Sequence, residues 1–223
     1  CSQHISVKII TTILVFYFLV LFPAINLAIT GNLFIYEFWP ILYFAFILVL
    51  ALALKRISPQ QLGFNNIGKT LAVGLLLGLL PVISVPILDN LLLKKGLAQS
   101  ELFTGAELRV TTEIGFNQSL SGYIFAALVM TFIDQVFVMG LVVNHLLKKQ
   151  QTGQAIIGGG LLYSLLHFKP SLGNLFLGMI STGLLRSTGS IVAPILIHTG
   201  FSIAEVLIIF YYPRLTSLLV FFV

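Results

Sequence analysis

The chain has 223 residues, of which 58% are hydrophobic and only 9% charged. A soluble domain carries roughly 25% charged residues, and a globule of this length has too little interior to hide so much apolar surface. The formal net charge of +5 comes from cations lying mostly between apolar runs, with no basic stripe interleaved with aromatics, which excludes a nucleic-acid surface and points to a lipid-embedded chain.

A spanning helix needs about 20 mostly apolar residues. Residues 5–30 and 33–54 meet that length, and the Gly31-Asn32 link makes them a hairpin. The first run is too long for the apolar core of a signal peptide. The lone cysteine, Cys1, rules out an internal disulfide, and its place at the start admits processing, lipid modification or numbering that begins mid-chain. His4, beside it, carries no signal. Residues 55–69 are polar, with Ser58-Pro59-Gln60-Gln61-Leu62-Gly63-Phe64 reading as a loop with one helical turn. Residues 70–93 form a third span, in which Gly74 and Gly78 are spaced for close helix contact and Pro81 and Pro86 for a kink.

Residues 94–118 hold Glu101, Glu107, Arg109 and Glu113 and read as an extramembrane loop or a surface helix. A fourth span runs over 119–147 and ends at Lys148-Lys149. Two short helices follow, 154–168 with Gly158-Gly159-Gly160 and 172–185, then a full span over 191–212. The expected fold is thus an all-α polytopic transmembrane bundle of about seven spans, two of them short, forming a single membrane domain over 1–223. With the N-terminus inside, seven cations (Lys8, Lys55, Arg56, Lys69, Lys148, Lys149, Arg186) face the cytoplasm and five (Lys94, Lys95, Arg109, Lys169, Arg214) face out, a small bias.

Titratable side chains inside a span are costly and point to function. Asp134 lies in the middle of the fourth span and needs a partner or a water-filled cavity. Taken alone, it reads equally as a functional group or as a structural hydrogen bond to a neighbouring helix. His167 closes the fifth segment, where a lone histidine is more often interfacial. His145, beside Lys148, is interfacial. His198, Ser202 and Glu205 share one face of the last span, so they look into the bundle as a ladder or as a site. At about 1.5 Å rise per residue, Asp134 and His167 both lie about 20 Å from the Lys148–Gln154 loop, and His198 reaches a similar depth from Arg186.

Three motifs in order carry a resemblance: Asp134-Gln135-Val136-Phe137-Val138-Met139-Gly140, Tyr163-Ser164-Leu165-Leu166-His167 and His198-Thr199-Gly200-Phe201-Ser202. They resemble the Glu-Glu-x-x-x-Arg, Phe-x-x-x-His and His-x-x-x-Asn motifs of the CAAX prenyl protease and bacteriocin-processing (CPBP, or Abi) family of intramembrane endopeptidases. Gln61-Leu62-Gly63-Phe64 resembles the Leu-Gly element upstream of that family's core, and the core itself is expected over 119–212. The resemblance implies that Asp134 and His167 activate a water while His198 and Ser202 face the oxyanion. It implies no cofactor. Two histidines and a carboxylate could hold zinc, but the resemblance favours a metal-free mechanism.

The departures matter as much. Asp134 replaces Glu and sits roughly an ångström further back; Gln135 replaces Glu, Met139 replaces Arg, and Ser202 replaces Asn. Both motif sets carry a net charge of minus one, so an unpartnered buried charge is avoided. That pattern fits a site whose structure was kept while its chemistry weakened or changed. Glu205 offers a substitute acidic group. Two readings follow: a CPBP-type protease-like protein acting on a peptide near the membrane, or a non-catalytic scaffold, immunity protein or subunit of a larger membrane complex. A proton-relaying transporter using Asp134 and Glu205 ranks third, because no inverted repeat supports it. The bilayer is the expected environment, in a prokaryotic plasma membrane or a thylakoid-type membrane.

Overall fold

A computed structural model describes residues 6–28, 33–96, 120–168, 171–212 and 215. Cys1, His4, the Gly31-Asn32 link, most of the acidic 94–118 stretch, Lys169 and Arg214 lie outside the described residues, as does most of the tail.

Lipid offers no partner to a backbone N–H or C=O, so an apolar chain entering it satisfies those groups within a helix. The described residues contain no strand and form seven helices. These are α1 (Val7–Ala28), α2 (Leu33–Ala53), α3 (Ile67–Lys94), α4 (Leu120–Leu146), α5 (Thr152–Leu166), α6 (Leu172–Thr188) and α7 (Val192–Tyr211). Four of them, α1, α3, α4 and α7, with 22, 28, 27 and 20 residues, are long and apolar enough to cross a membrane. The 15 residues of α5 and 17 of α6 give rods of about 22 and 25 Å, short of a hydrocarbon core of about 30 Å. Large apolar side chains point outward, with Leu27 83% and Leu76 68% exposed, an arrangement that lipid tolerates and water does not. The chain is a helical integral membrane bundle.

Small residues set the helix crossings. A Cβ on Gly200 of α7 would stand 1.9 Å from the Gly78 carbonyl of α3, so these backbones touch. A Cβ on Gly159 of α5 would meet the Thr182 hydroxyl of α6 at 1.9 Å, and one on Gly178 would meet the Tyr163 Cβ at 2.5 Å. The α5–α6 pair is therefore a tight hairpin that enters from the Lys148 end and turns back at His167-Phe168.

Two helices contain π-helical turns. Tyr17–Leu21 of α1 closes with the Phe22 N–H on the Tyr17 carbonyl, and Val136–Val143 of α4 closes with the Asn144 N–H on the Met139 carbonyl. Such turns widen the helix and re-aim the side chains on either side. The second begins immediately after Asp134-Gln135, and all eight of its residues are buried. The 55–66 loop packs beneath it: a Cβ on Gly140 would lie 2.7 Å from the Leu62 carbonyl. Gly63, at φ +96°, turns the loop so that its carbonyl accepts from the Ile191 N–H at 2.9 Å.

Candidate active site

Asp134 sits two residues before the π-helical turn of α4, and the residue is 3% exposed. Its Oδ1 faces His167 Nε2 at 2.9 Å. The Oδ2 accepts from the Tyr163 hydroxyl at 2.8 Å and stands 3.6 Å from His198 Nδ1. Groups from α4, α5 and α7, together with the His167 that follows α5, therefore meet at one spot. The carboxylate and Tyr163 are buried, while the two histidines are partly open at 23% and 15% side-chain exposure.

The backbone fixes the proton arrangement at His167. Its Nδ1 lies 2.7 Å from the Tyr163 carbonyl, which can only accept, so Nδ1 carries hydrogen. Nε2 then faces the carboxylate oxygen Oδ1 across 2.9 Å. The two groups form a close carboxylate–imidazole pair.

At His198 the neighbour is Gln135. Its amide lies 2.8 Å from His198 Nδ1 and 3.4 Å from Asp134 Oδ2. The Asp134 carboxylate oxygen accepts, so the NH2 side of the amide faces it, and the same NH2 group, 2.8 Å from His198 Nδ1, suits the tautomer with the proton on Nε2. The Tyr163 hydroxyl lies 3.4 Å from both ring nitrogens, which places it at the Cε1 edge rather than on either nitrogen.

The other sequence candidates divide. Gln135 is in the cluster. Ser202 pairs with Thr131 at 3.1 Å, a contact tying α7 to α4 one turn away from Asp134. Met139 is fully buried, with its sulfur 3.6 Å from the Thr182 hydroxyl. That hydroxyl has one proton, and the Gly178 carbonyl at 2.8 Å is the better acceptor, so Met139 makes an apolar contact. Gln135 and Met139 are both 0% exposed, so a charge at either position would have needed a buried partner. Glu205 is half-buried and lies about 10 Å further along the α7 axis than His198. His145 turns its Nδ1 to the Leu141 carbonyl at 2.9 Å, within its own helix.

Two contributors were missed from sequence. One is the Tyr163 hydroxyl. A tyrosine at a position the related motif fills with Phe was the available signal, since a buried phenol needs a partner. The other is a clamp on the turn that bears His167. The Tyr17 hydroxyl donates to the Leu166 carbonyl at 2.8 Å, and Phe168, at φ +52°, stacks on Phe22 with ring centroids 3.9 Å apart. The left-handed backbone there is strained for a phenylalanine, and aromatic packing on α1 holds it.

Zinc does not fit this donor set. A zinc ligand nitrogen stands about 2.0–2.1 Å from the metal with its lone pair aimed at it. Here His167 Nε2 contacts the carboxylate directly, and the His198 nitrogen facing Asp134 is engaged by the Gln135 amide. Among the described residues no group of three His, Cys, Asp or Glu side chains is arranged to hold a metal ion.

The class defined by fold and site is a helical membrane bundle with a buried carboxylate and two imidazoles in contact in its interior. Residues 116–204, spanning all three motifs, match the family model described as Type II CAAX prenyl endopeptidase Rce1-like, so this segment is an Rce1-like domain of the CPBP family. No curated protein and no solved structure matches the chain.

Proposed function

We propose that the chain is a slow intramembrane peptide hydrolase. The observation that carries the reading is the meeting of Asp134, His167 and His198, from three segments of chain, at one point in the helical bundle. Asp134 and His167 hold one proton between them and exchange it with an attacking water. His198 presents Nε2–H as the donor for the oxyanion of the scissile carbonyl. Gln135 holds His198 in that tautomer, and Tyr163 orients the carboxylate. Ser202, bonded to Thr131, braces α7 rather than touching the oxyanion. Turnover is slow because both carboxylate oxygens already face protein groups, so water competes with Tyr163 and His167 for the base.

That same occupancy favours a second reading, a retained fold that binds a membrane partner without turnover. One experiment separates them. The full chain is reconstituted in liposomes with a quenched-fluorescent peptide library anchored to lipid, beside Asp134→Ala and His198→Ala. The hydrolase reading expects cleavage that each substitution reduces at least about a hundredfold. Cleavage indifferent to both substitutions, or none by the unmodified chain, overturns it. If the unmodified chain is inert and the triple change Asp134→Glu, Gln135→Glu, Met139→Arg cleaves, the second reading holds.

A further inference from the structure

The α4–α5 loop, the 55–66 loop and the α6–α7 turn meet at one end of the bundle. Asn144 Nδ2 donates to the Gln61 carbonyl at 3.0 Å, the Thr70 and Ser190 hydroxyls are 3.3 Å apart, and the Arg186 guanidinium donates to the Leu147 carbonyl. Residues 55–69, 144–153 and 184–192, which build this end, carry six cations (Lys55, Arg56, Lys69, Lys148, Lys149, Arg186) and no carboxylate. A cavity of about 350 Å³ opens there, lined by Gln60, Gln61, Asn65, Asn144, Lys148 and Gly189 among others.

We propose that this cavity binds the phosphate headgroup of an anionic phospholipid, with Lys148 as the central cation. Three observations combine. The lining is polar and rich in amides, and its one charged side chain is a lysine, a combination that suits a hydrated phosphate. Further cations flank it, and an anionic leaflet surface attracts such a cluster in proportion to its charge. Helix α3 starts at this same end, where Thr70 meets Ser190, and its first turns carry exposed apolar side chains, with Ile67 51%, Leu71 42% and Leu75 46% exposed, on which an acyl chain can lie. A phosphate free in solution shares the headgroup chemistry but makes no use of those side chains.

The test is lipid-dependent thermal stability of the full chain in detergent micelles doped with phosphatidylglycerol or phosphatidylcholine. Phosphatidylglycerol is expected to raise the unfolding midpoint and phosphatidylcholine to leave it unchanged. Lys148→Gln with Lys69→Gln should weaken the phosphatidylglycerol response about fivefold per charge removed, whereas Lys94→Gln with Lys95→Gln, at the other end, should leave it intact. High salt should abolish the response of the unmodified chain, a readout that needs no variant to fold. Equal responses to the two lipids, insensitivity to salt, or a full response in the Lys148/Lys69 variant overturns the proposal. Inorganic phosphate reproducing the effect at the same concentration overturns the lipid as its source.

Discussion

Tyr163 does two jobs with one side chain: its hydroxyl holds Asp134 and its carbonyl orients His167. Removing only the hydroxyl strips a charge-assisted hydrogen bond from a buried carboxylate, at a cost of about 1.5–3 kcal/mol. Tyr163→Phe is therefore expected to lower the denaturation midpoint while leaving the His167 backbone contact in place. A midpoint equal to the unmodified chain would show that the hydroxyl has no structural share in the site. Asp134 was legible in sequence because an ionisable residue in mid-span stands out energetically, and His167 and His198 because their motif spacing follows the resemblance. Ser202 was read from the same spacing, yet its hydroxyl goes to Thr131. Spacing places a residue on a helix face, but a short side chain bonds to whatever neighbour lies within about 3 Å, and that neighbour is set by tertiary packing.

At the scale of the element, the spans were readable from apolar length alone, because in lipid that length decides the structure. The glycines at 74 and 78 were readable as contact points for the same reason. What they contact was not: Gly200 is 122 residues from Gly78, and nothing local pairs them. Gly200→Ala is expected to force α3 and α7 apart and destabilise the bundle by about 1–3 kcal/mol. Gly153→Ala, where an added Cβ meets nothing within 4 Å, should be neutral or slightly stabilising, since alanine is the better helix former. Equal effects from the two changes in a thermal melt would contradict the close crossing. The π-helical turns left no mark in the sequence, because their runs Tyr17–Leu21 and Val136–Val143 are ordinary apolar stretches. The clamp on the His167 turn is likewise tertiary. Tyr17→Phe frees the Leu166 carbonyl and is expected to destabilise by about 1–3 kcal/mol and to slow any Asp134-dependent cleavage in parallel. A variant with normal melting and normal cleavage would remove α1 from the account of the site.

For the whole molecule, the interior placement of polar groups and the outward placement of Leu and Phe invert the pattern of a soluble globule, and the helices define two ends. Lys148 lies at the end where α4 finishes, and Lys94 at the far end of α3. In a Cys1→Ser background, Lys148→Cys and Lys94→Cys are expected to react with an impermeant maleimide from opposite faces of sealed vesicles. Labelling of both from one face would contradict the bundle's path. Composition alone revealed the membrane class. The meeting point of Asp134, His167 and His198 depended on three segments reaching a common depth, which helical rise predicts only roughly.

The account rests on Asp134 and His167 acting as one unit across their 2.9 Å contact. The direct measurement is a double-mutant cycle on peptide cleavage in liposomes, comparing Asp134→Ala, His167→Ala and the double variant. Groups that work together lose their contribution once, so the double variant should cleave no more slowly than either single one. Independent, multiplying losses, or a His167→Ala chain that cleaves at the unmodified rate, would contradict it.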